Sequence, residues 1–514
     1  MDDGALHRRR HALLLGSVFA VSICGLCYEL IAGALSSYLV GSSVTQFSIV
    51  IGLFMFAMGI GSFVARYVRR AELTVFVAVE IAIGVVGGGA ALSLFYAFTF
   101  LDSYLPSLIA STLVVGTLVG LEIPLVVRVL RDRNAFDEAV SSVLALDYVG
   151  ALLASILFPL LLAPHLGLVR AGFLCGLLNV GVAGLALWLL RPEIAWRRVL
   201  DLAALVAAIA LGVGLVTAGG LTKFAEDRLY QDEIVLARET PYQRIVVTRW
   251  RDDVRLYLSG QLQFSTVDEA RYHEPLVHVV LGAVPQARRV LILGGGDGMA
   301  AREVLKHPHI EQIDLVDLDG EMTSLFSQQP LLSSLNQGSL RDPRLTVHNA
   351  DAAKFLEQSS ALWDVAIVDL PDPSSAALAR LYSTSFYRLL LHHVSADGAF
   401  VTQATSPFYA AEAFWCVVET IEQTARQDAP GLTVRPYHAN VPSFGEWGWV
   451  LATRRPLDVA ALQLDVPTRF LTAETLPGLF AFPADLTRQQ VEVNQLDRPV
   501  ITTYYERGWR TYNN

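Results

Sequence analysis

Long apolar runs in the first 222 residues constrain the fold of this chain more than any other feature. Each run reaches the roughly 20 residues that a helix needs to cross a bilayer. There are seven of them, at about 12–36, 45–65, 74–98, 107–127, 140–163, 168–190 and 199–219. A cleaved signal peptide would account for one run and not for seven. The sequence therefore predicts a multi-pass α-helical membrane bundle of about seven helices in residues 1–222, in contact with lipid of the cell (inner) membrane.

The arginines of this segment predict its orientation. Positive charge collects in the cytoplasmic loops of membrane proteins, and the basic residues fall in alternate loops, around 8–10, 66–70, 128–133 and 191–198. The N-terminus is therefore expected in the cytoplasm. Seven crossings would then place the remainder of the chain outside the cytoplasm.

Charge and cysteine content exclude two classes of function. The chain of 514 residues has a net charge of −10, and the excess of acid lies after residue 222. Phosphate binding needs a basic surface, so nucleic acid is not expected as a partner. Cys24 and Cys27 form a CxxC pair, but no second pair or histidine cluster accompanies it, so no metal site is predicted.

Residues 223–514 carry patterns typical of a globular part. Short alternating segments at 233–237, 244–248 and 254–258, followed by a helical pattern from Asp268, predict a small β-strand subdomain in 223–284. From 286 to 403, within a predicted domain of residues 285–514, strands alternate with helices, which indicates a parallel sheet with helices on both faces. We expect an α/β Rossmann-like domain of the methyltransferase type, ending in an ordered C-terminal tail.

A glycine turn marks the ligand site of this domain. The run from Leu293 to Gly298 follows an apolar strand and precedes a helix, and the next strand ends in Asp317. Glycines allow a ligand to approach the backbone closely, and an acid at that strand end can hold a ribose diol. Acids at or just past four strand ends are expected to meet at the carboxyl edge of the sheet, namely Asp297, Asp317, Asp351 and Asp369. Such a crevice favours a cationic ligand and would repel a phosphate.

In these residues the soluble half resembles the spermidine synthases, which are polyamine aminopropyltransferases. The whole chain resembles the bacterial membrane-fused branch of that family. The stretches that carry the resemblance are Tyr230–Asp232, the run YLSGQLQ ending in Gln263, DEARYHE from Asp268 to Glu274, the GGGDG turn, Asp317, Asp351–Ala352 and the run Asp369–Pro373.

The resemblance implies a reaction and a set of roles. The enzyme would move the aminopropyl group of decarboxylated S-adenosylmethionine to a di- or polyamine, with putrescine to spermidine as the expected case, and release methylthioadenosine. Asp369 would be the catalytic residue. The nucleoside donor would be bound by Gln231, Gln263, Gly294, Gly296, Asp297, Asp317, Asp351 and Ala352. The amine would be bound by Tyr272, His273 and Asp372. No cofactor is implied beyond this co-substrate, and homodimers are common in the family.

Two departures from the family pattern affect the amine site. The catalytic loop is Asp369-Leu370-Pro371-Asp372-Pro373, in which the small polar residues of the usual pattern are replaced by Leu370 and Pro371. The segment 442–444 ends in Phe444 where family members usually place a tyrosine. Both carboxylates of the loop are kept, so the chemistry is expected to persist, while the identity of the amine stays open.

Two other functions are compatible with parts of the sequence. A methyltransferase that uses intact S-adenosylmethionine would have a similar sheet, but Asp297 beside Asp369 would repel the carboxylate of that donor. A membrane polyamine transporter or sensor would explain the apolar half and the altered amine loop, but it would not need Asp369 and Asp372. The side of the membrane also stays open, since a cytosolic substrate supply favours the cytoplasm and seven crossings favour the outside.

Overall fold

The computed structural model describes residues 3–40, 43–100, 104–130, 136–190, 194–230 and 232–510. The chain forms two compact units, Met1–Ile234 and Val235–Asn514. The first unit consists of helices α1 (Asp3–Val40), α2 (Ser43–Ala65), α3 (Glu72–Phe100), α4 (Tyr104–Leu130), α5 (Phe136–Leu157), α6 (Ala163–Leu189) and α7 (Arg197–Tyr230). Helix α7 continues past residue 222, where we expected the helical part to end, and β1 follows it almost at once.

Six helical stretches among the described residues are long and apolar enough to cross a membrane. The difference from the expected seven lies in Val140–Leu189, a single stretch of 50 residues that contains both apolar runs expected there. A π-helical segment, Phe158–Leu162, joins α5 to α6. Gly167 interrupts the helical backbone of this stretch with a φ of 74° and a ψ of 167°. The sequence predicted two separate apolar helices here. The structure joins them into one helical stretch, with the helical backbone interrupted at Gly167.

Glycines bring α3 and α6 into direct backbone contact. A Cβ atom added to Gly84 would lie 2.7 Å from the carbonyl oxygen of Gly176, and one added to Gly172 would lie 3.1 Å from that of Gly88. Residue numbers fall along α6 as they rise along α3, so the two helices run antiparallel. Small residues permit this approach, which allows the close packing that holds helices together in lipid.

The second unit begins with a four-stranded sheet in the order β1–β2–β3–β4. Its strands are β1 (Glu233–Glu239), β2 (Arg244–Trp250), β3 (Asp253–Leu258) and β4 (Gln261–Ser265). The first three lie where the alternating pattern predicted them, and β4 is an additional strand that pairs antiparallel with β3.

A seven-stranded sheet forms the centre of the second unit. Its strands are β5 (Arg289–Gly294), β6 (Gln312–Asp317), β7 (Leu345–Asn349), β8 (Trp363–Asp369), β9 (Val394–Gln403), β10 (Thr433–Val441) and β11 (Gly445–Thr453). Their order is β10–β11–β9–β8–β5–β6–β7, and β11 pairs antiparallel with both of its neighbours. The Rossmann-like class is therefore confirmed. The strands that the alternation predicted, β5 to β9, pair in parallel. Strands β10 and β11, which the alternation did not include, are joined by a short turn, and a turn of that length can only connect antiparallel strands.

Helices cover both faces of this sheet. They are α8 (Ala270–Ala283), α9 (Met299–Leu305), α10 (Gly320–Gln328), α11 (Pro330–Leu335), α12 (Ala352–Gln358), α13 (Ala376–Ala379), α14 (Thr384–Leu391), α15 (Ala411–Asp428) and α16 (Val500–Arg510). Ile292 of β5 is buried in one apolar cluster, while Leu291 and Leu293 are buried in the other. Alternate side chains of one strand thus pack into opposite layers, as they do in a sheet covered on both sides. Asp317 and Asp369 are the last residues of the neighbouring parallel strands β6 and β8, on either side of β5.

Candidate active site

The turn after β5 is made of glycine because its backbone requires it. Gly294, Gly295 and Gly298 have φ angles of 86°, 66° and 75°, in the left-handed region that residues with a Cβ atom rarely adopt. A Cβ atom at Gly294 would also lie 2.0 Å from the carbonyl oxygen of Asp369. The turn therefore lies directly against the end of β8.

Asp317, at the end of β6, is fixed by this turn. Its Oδ2 atom accepts a hydrogen bond of 3.0 Å from the backbone N–H of Gly296, and its Oδ1 atom accepts one of 2.8 Å from that of Asp319. Burial raises the pKa of Asp317 to about 6, and the two N–H groups act in the opposite direction. Each oxygen of a carboxylate has two lone pairs, so both can accept a further hydrogen bond from a ligand.

Asp369 ends β8 and is bound by helix α8. The hydroxyl of Tyr272 donates a hydrogen bond of 2.7 Å to its Oδ1 atom. Burial raises the pKa of Asp369 to about 6, the charge of His273 lowers it, and the nearby carboxylate of Asp297 raises it again. At neutral pH the group is largely ionised, but it accepts a proton more readily than an exposed aspartate does.

His273 interacts electrostatically with the carboxylates of both Asp297 and Asp369. Its Nδ1 atom lies 3.0 Å from Oε2 of Glu269. Burial lowers the pKa of His273, but the hydrogen bond and charge of Glu269 outweigh it, and the net effect raises the pKa. Asp297 is 8 % exposed, and burial raises its pKa, while the charge of His273 lowers it. Positive charge on this imidazole offsets some of the repulsion between the carboxylates.

Glu269 fixes this histidine and is itself held by two arginines. Arg302 lies 2.7 Å from its Oε2 atom, and Arg469 lies 2.8 Å from its Oε1 atom. Burial acts to raise the pKa of Glu269. Its hydrogen bond to His273 and the charges of His273 and Arg302 outweigh burial and lower the pKa to about 2. Removing one partner of such a buried group is expected to cost several kcal/mol.

Asp372 is held in the loop after β8 by two side chains from the end of β9. Nε2 of Gln403 lies 3.3 Å from its Oδ1 atom, and Oγ1 of Thr405 lies 3.3 Å from its Oδ2 atom. Gln403 also donates a hydrogen bond of 2.7 Å to the carbonyl oxygen of Leu370, which fixes the loop. Burial raises the pKa of Asp372 to about 6, against the lowering effect of these donors.

An aromatic wall closes one side of the site. The ring of Tyr272 contacts Phe444, Trp447 and Trp449, with centroid distances of 6.0, 6.3 and 5.7 Å. Trp447 and Trp449 thus line the site beside Tyr272, and Phe444 extends this apolar wall. Apolar rings beside carboxylates suit a ligand that combines ammonium groups with a hydrocarbon chain.

The site combines carboxylates that suit cations, a backbone turn that suits a nucleoside, and an apolar wall. Known proteins are similar in sequence to the chain that forms it. A family model described as the spermine/spermidine synthase domain matches residues 269–461. A protein of Ralstonia nicotianae named polyamine aminopropyltransferase 2 is 50% identical over 98% of this chain and 99% of its own length. A polyamine aminopropyltransferase of Leptospira interrogans is 44% identical over 96% of this chain and 98% of its own length. A crystal structure of a spermidine synthase with the transition-state analogue AdoDATO is 25% identical over 49% of this chain and 86% of that chain, with a TM-score of 0.45.

The chain belongs to the polyamine aminopropyltransferase family. The resemblance of the sequence to that family is thereby confirmed, and so is the enzyme class, a transferase. These relatives favour an aminopropyltransferase over the methyltransferase and transporter alternatives. Because the match to the two named relatives extends over nearly the whole chain, the apolar half belongs to the same pattern.

Five of the residues predicted for the aminopropyltransferase site are joined by hydrogen bonds or close charges. Asp369, Tyr272, His273 and Asp297 form one group, and Asp317 is within the electrostatic range of Asp297. Gly294 and Gly296 lie against Asp369 and Asp317. Asp372 is fixed by other partners at the end of β9.

Asp351 has two structural roles that the sequence did not show. Its Oδ1 atom accepts a hydrogen bond of 3.1 Å from the backbone N–H of Lys354 and so caps α12. Its Oδ2 atom forms an ion pair with Arg380. Ala352 is the first residue of α12 and is buried. A contact between Asp351 and an adenine amino group would have to use the remaining lone pairs.

Two glutamines predicted for the donor are not joined to this group by the described contacts. Gln263 lies on β4, and its amide donates a hydrogen bond of 3.2 Å to the carbonyl oxygen of Gln261 in the same strand. Gln231 lies outside the described residues. Their roles in the aminopropyltransferase stay predictions.

Several residues of the aminopropyltransferase site were not predicted. Asp319 accepts hydrogen bonds of 2.8 and 3.0 Å from Thr240 and Gln243 and supports the turn beside Asp317. Asp268 accepts hydrogen bonds of 2.6 and 2.9 Å from the backbone N–H and hydroxyl of Ser443. This contact fixes the turn that carries Phe444. The acid at 319 before a helix start was a recognisable capping signal, whereas the pair 268–443 joins positions too far apart for any local pattern.

Proposed function

We propose that this enzyme transfers the aminopropyl group of decarboxylated S-adenosylmethionine to a primary amine of a di- or polyamine, with putrescine to spermidine as the main reaction. Methylthioadenosine is the second product. The observation that carries this proposal is a set of partly or fully buried carboxylates around the glycine turn, namely Asp297, Asp317 and Asp369. The charge of Asp297 raises the pKa values of the other two. Such a site favours a sulfonium nucleoside and an ammonium together.

The donor would lie along the glycine turn. Asp317 would accept hydrogen bonds from the ribose hydroxyls, while the backbone at Gly294 and Gly296 allows the nucleoside to approach. Asp297 would bind the ammonium of the aminopropyl arm. Asp351 and Ala352 would contact the adenine, and Gln231 and Gln263 would contact the ribose and the aminopropyl arm. Intact S-adenosylmethionine carries a carboxylate on that arm, which Asp297 and Asp369 would repel.

The amine would lie between Asp369 and the aromatic wall. Its nitrogen lone pair attacks the propyl carbon that is bonded to sulfur. The new C–N bond forms as the C–S bond breaks, and the bonding pair returns to sulfur, which becomes a neutral thioether. The product nitrogen is a secondary ammonium, and the one proton released in the reaction is the proton that the acceptor ammonium gives up before its lone pair attacks. The electrons and atoms balance with these two substrates alone.

Asp369 would orient the amine and accept its proton. An alkyl amine has a pKa near that of lysine, about 10.4, and is mostly protonated at neutral pH. A carboxylate can bind the ammonium, take up the proton and direct the lone pair at the carbon. The hydrogen bond from Tyr272 fixes the Asp369 oxygen, and His273 and Asp372 complete the amine site. Orientation of two bound substrates can supply a large part of the acceleration.

A donor and amine screen tests the proposal. Full-length enzyme in detergent is incubated with decarboxylated or intact S-adenosylmethionine and with putrescine, cadaverine or spermidine, and the nucleoside product is measured. We expect release of methylthioadenosine with the decarboxylated donor and a diamine, and loss of at least a factor of 100 in Asp369→Asn with donor binding retained. Methyl transfer from intact S-adenosylmethionine, or equal turnover by Asp369→Asn, would contradict it.

We also propose that the apolar helices hold the enzyme in the cell (inner) membrane as a multi-pass protein. The support is the six long apolar stretches and the antiparallel glycine contact of α3 with α6. Cell fractionation should find the protein in the membrane after a carbonate wash, and release by the wash would contradict the anchor. The two candidate orientations predict opposite results when an impermeant thiol reagent is applied to intact cells that carry a cysteine at exposed Asp252.

A further inference from the structure

The segment of residues 467–471 packs against helix α8, which carries Tyr272 and His273. It lies beyond residue 461, where the match to the family model ends. The fully buried carboxylate of Glu274 accepts hydrogen bonds from three successive backbone N–H groups of this segment, at 2.6, 2.8 and 2.9 Å. Nζ of Lys306 donates a further hydrogen bond of 3.1 Å to the carbonyl oxygen of Pro467. These four bonds fix the backbone of the segment.

The side chain of Arg469 extends from this segment to a buried acid. Its Nη1 atom lies 2.8 Å from Oε1 of Glu269. The side chain of Glu269 is 1% exposed, whereas that of Arg469 is 57% exposed. One of the two arginine partners of this buried carboxylate therefore lies at the surface, where water can take its place if it is replaced by a shorter side chain.

Direct contacts lead from Arg469 to the acid of the reaction. The other oxygen of Glu269, Oε2, lies 3.0 Å from Nδ1 of His273. The ring of His273 meets that of Tyr272 edge-on, with a centroid distance of 5.0 Å. The hydroxyl of Tyr272 donates its hydrogen bond of 2.7 Å to Asp369. A surface charge is thus joined to Asp369 through three side chains of one helix.

The charge of His273 depends on the groups that face it. Three carboxylates from three elements do so, namely Glu269 of α8, Asp297 of the glycine turn and Asp369 of β8. All three favour the protonated imidazole. Arg302 and Arg469, which pair with Glu269, oppose it, because like charges repel. A proton on His273 offsets the negative charge of Asp297 and Asp369, so the imidazolium and a cationic ligand compete for the same two carboxylates.

We propose that Arg469 is a positioning residue of the donor site, whose charge favours the neutral form of His273 and so leaves Asp297 and Asp369 free to bind a cationic donor. This rests on the proposed function, in which the donor carries a sulfonium and an ammonium group. Residues 467–471 then contribute to donor affinity and not only to the stability of the core.

Equilibrium binding at several pH values, without an amine and hence without turnover, tests the role of Arg469. Full-length wild type, Arg469→Gln, Arg469→Lys and Arg488→Gln in detergent are titrated with decarboxylated S-adenosylmethionine and separately with methylthioadenosine. Methylthioadenosine has no sulfonium or ammonium group, so it reports on the shape of the nucleoside site alone. Arg488→Gln is the matched control, because this arginine is 47% exposed and pairs with Glu419 of α15 at 2.6 Å.

In Arg469→Gln the imidazole of His273 should hold its proton to a higher pH, because a nearby like charge is lost. We expect the fall of donor affinity on acidification to begin about 0.5 pH unit higher than in wild type, a screened Coulomb effect of a half-exposed charge. The donor dissociation constant should be raised about two- to threefold at pH 6.5 and should match that of wild type at pH 8.5. Arg469→Lys and Arg488→Gln should follow wild type, and methylthioadenosine affinity should be the same in all four proteins.

Two results would overturn the role of Arg469 even if the wild type releases methylthioadenosine. One is a donor profile of Arg469→Gln that coincides with that of wild type. The other is an equal loss of donor and methylthioadenosine affinity at every pH, which would make Arg469 a support of the fold alone. A wild type that binds methylthioadenosine but not the decarboxylated donor would overturn the proposed function and this inference together.

Discussion

The hydroxyl of Tyr272 donates a hydrogen bond of 2.7 Å to Oδ1 of Asp369. The two residues lie on different elements, α8 and the end of β8, and are separated by 97 positions in the chain. The same tyrosine ring contacts Trp449 of β11. One side chain thus connects the acid of the reaction to the wall along which an amine would lie, and the first prediction concerns this bond.

Tyr272→Phe is expected to lower kcat by roughly 10- to 100-fold, because Asp369 loses the donor that orients it. The Tyr272 hydrogen bond lowers the pKa of Asp369, while burial and Asp297 raise it, so the variant should have a higher pKa at this group. The acid limb of the kcat/KM profile, expected near pH 6 in wild type, should therefore move to higher pH. Tyr242→Phe, at an exposed position, is the control. A lower kcat with an unmoved acid limb would remove Tyr272 from this role.

Gly296→Ala is expected to raise the KM for the donor at least tenfold. The added Cβ atom would lie 2.6 Å from the carboxylate of Asp317, so the acid that holds the ribose would have to move. Gly478→Ala is the matched control, since nothing lies within 4 Å of a Cβ atom there. Its KM values should stay within twofold of wild type. Equal KM values for the two alanine variants would show that Asp317 has room to shift, against the geometry of the turn.

Local patterns predicted the parts of the site that follow strands directly. The glycine turn, Asp317 and Asp369 lie at strand ends, and parallel strands bring such residues together whatever the rest of the chain does. The resemblance of the catalytic loop to the family pattern predicts Asp372. Its partners Gln403 and Thr405 lie more than 30 positions away in the chain. No periodicity links such residues, because tertiary packing alone decides their contacts.

The hairpin of β10 and β11 was missed for a different reason. Both strands are long and carry the tyrosine, valine and tryptophan residues that are typical of strands. The alternation of strands and helices predicted a parallel sheet as far as residue 403, and it made no prediction for the two strands that follow α15. Phe444 and Gly445 at the turn were the local signal for a hairpin, and Gly445 has a φ of 80° as such turns require.

Asp372→Asn is expected to abolish most of the activity and to stabilise the folded enzyme above pH 6. The pKa of Asp372 is raised from 3.8 to about 6 in the folded state. Between these values the folded protein binds more protons than the unfolded chain, so the free energy of unfolding falls as pH rises. The asparagine removes this cost. We expect a gain of about 1 kcal/mol at pH 7.5 that disappears below pH 4.

Thermal unfolding of the two proteins in detergent at pH 7.5 and at pH 4 measures this difference. Asp397→Asn is a suitable control, because this carboxylate is exposed and its pKa is lowered by Arg455. Its variant should gain no stability at pH 7.5. A wild type more stable than Asp372→Asn at both pH values would mean that the hydrogen bonds to Asp372 outweigh the cost of its burial.

Asp351→Asn and Asp351→Ala are expected to separate the two roles of this residue. Its carboxylate caps α12 through the N–H of Lys354 and pairs with Arg380. Asparagine is as good a helix cap as aspartate, whereas alanine is not, and loss of a cap costs about 1 kcal/mol. The alanine variant should therefore have the lower melting temperature.

Both variants should show a higher KM for the donor if Asp351 accepts a hydrogen bond from the adenine amino group, because both lose the charged acceptor. Steady-state kinetics with thermal unfolding measures both effects, and an unchanged donor KM in the asparagine variant would leave Asp351 as a helix cap and partner of Arg380 alone.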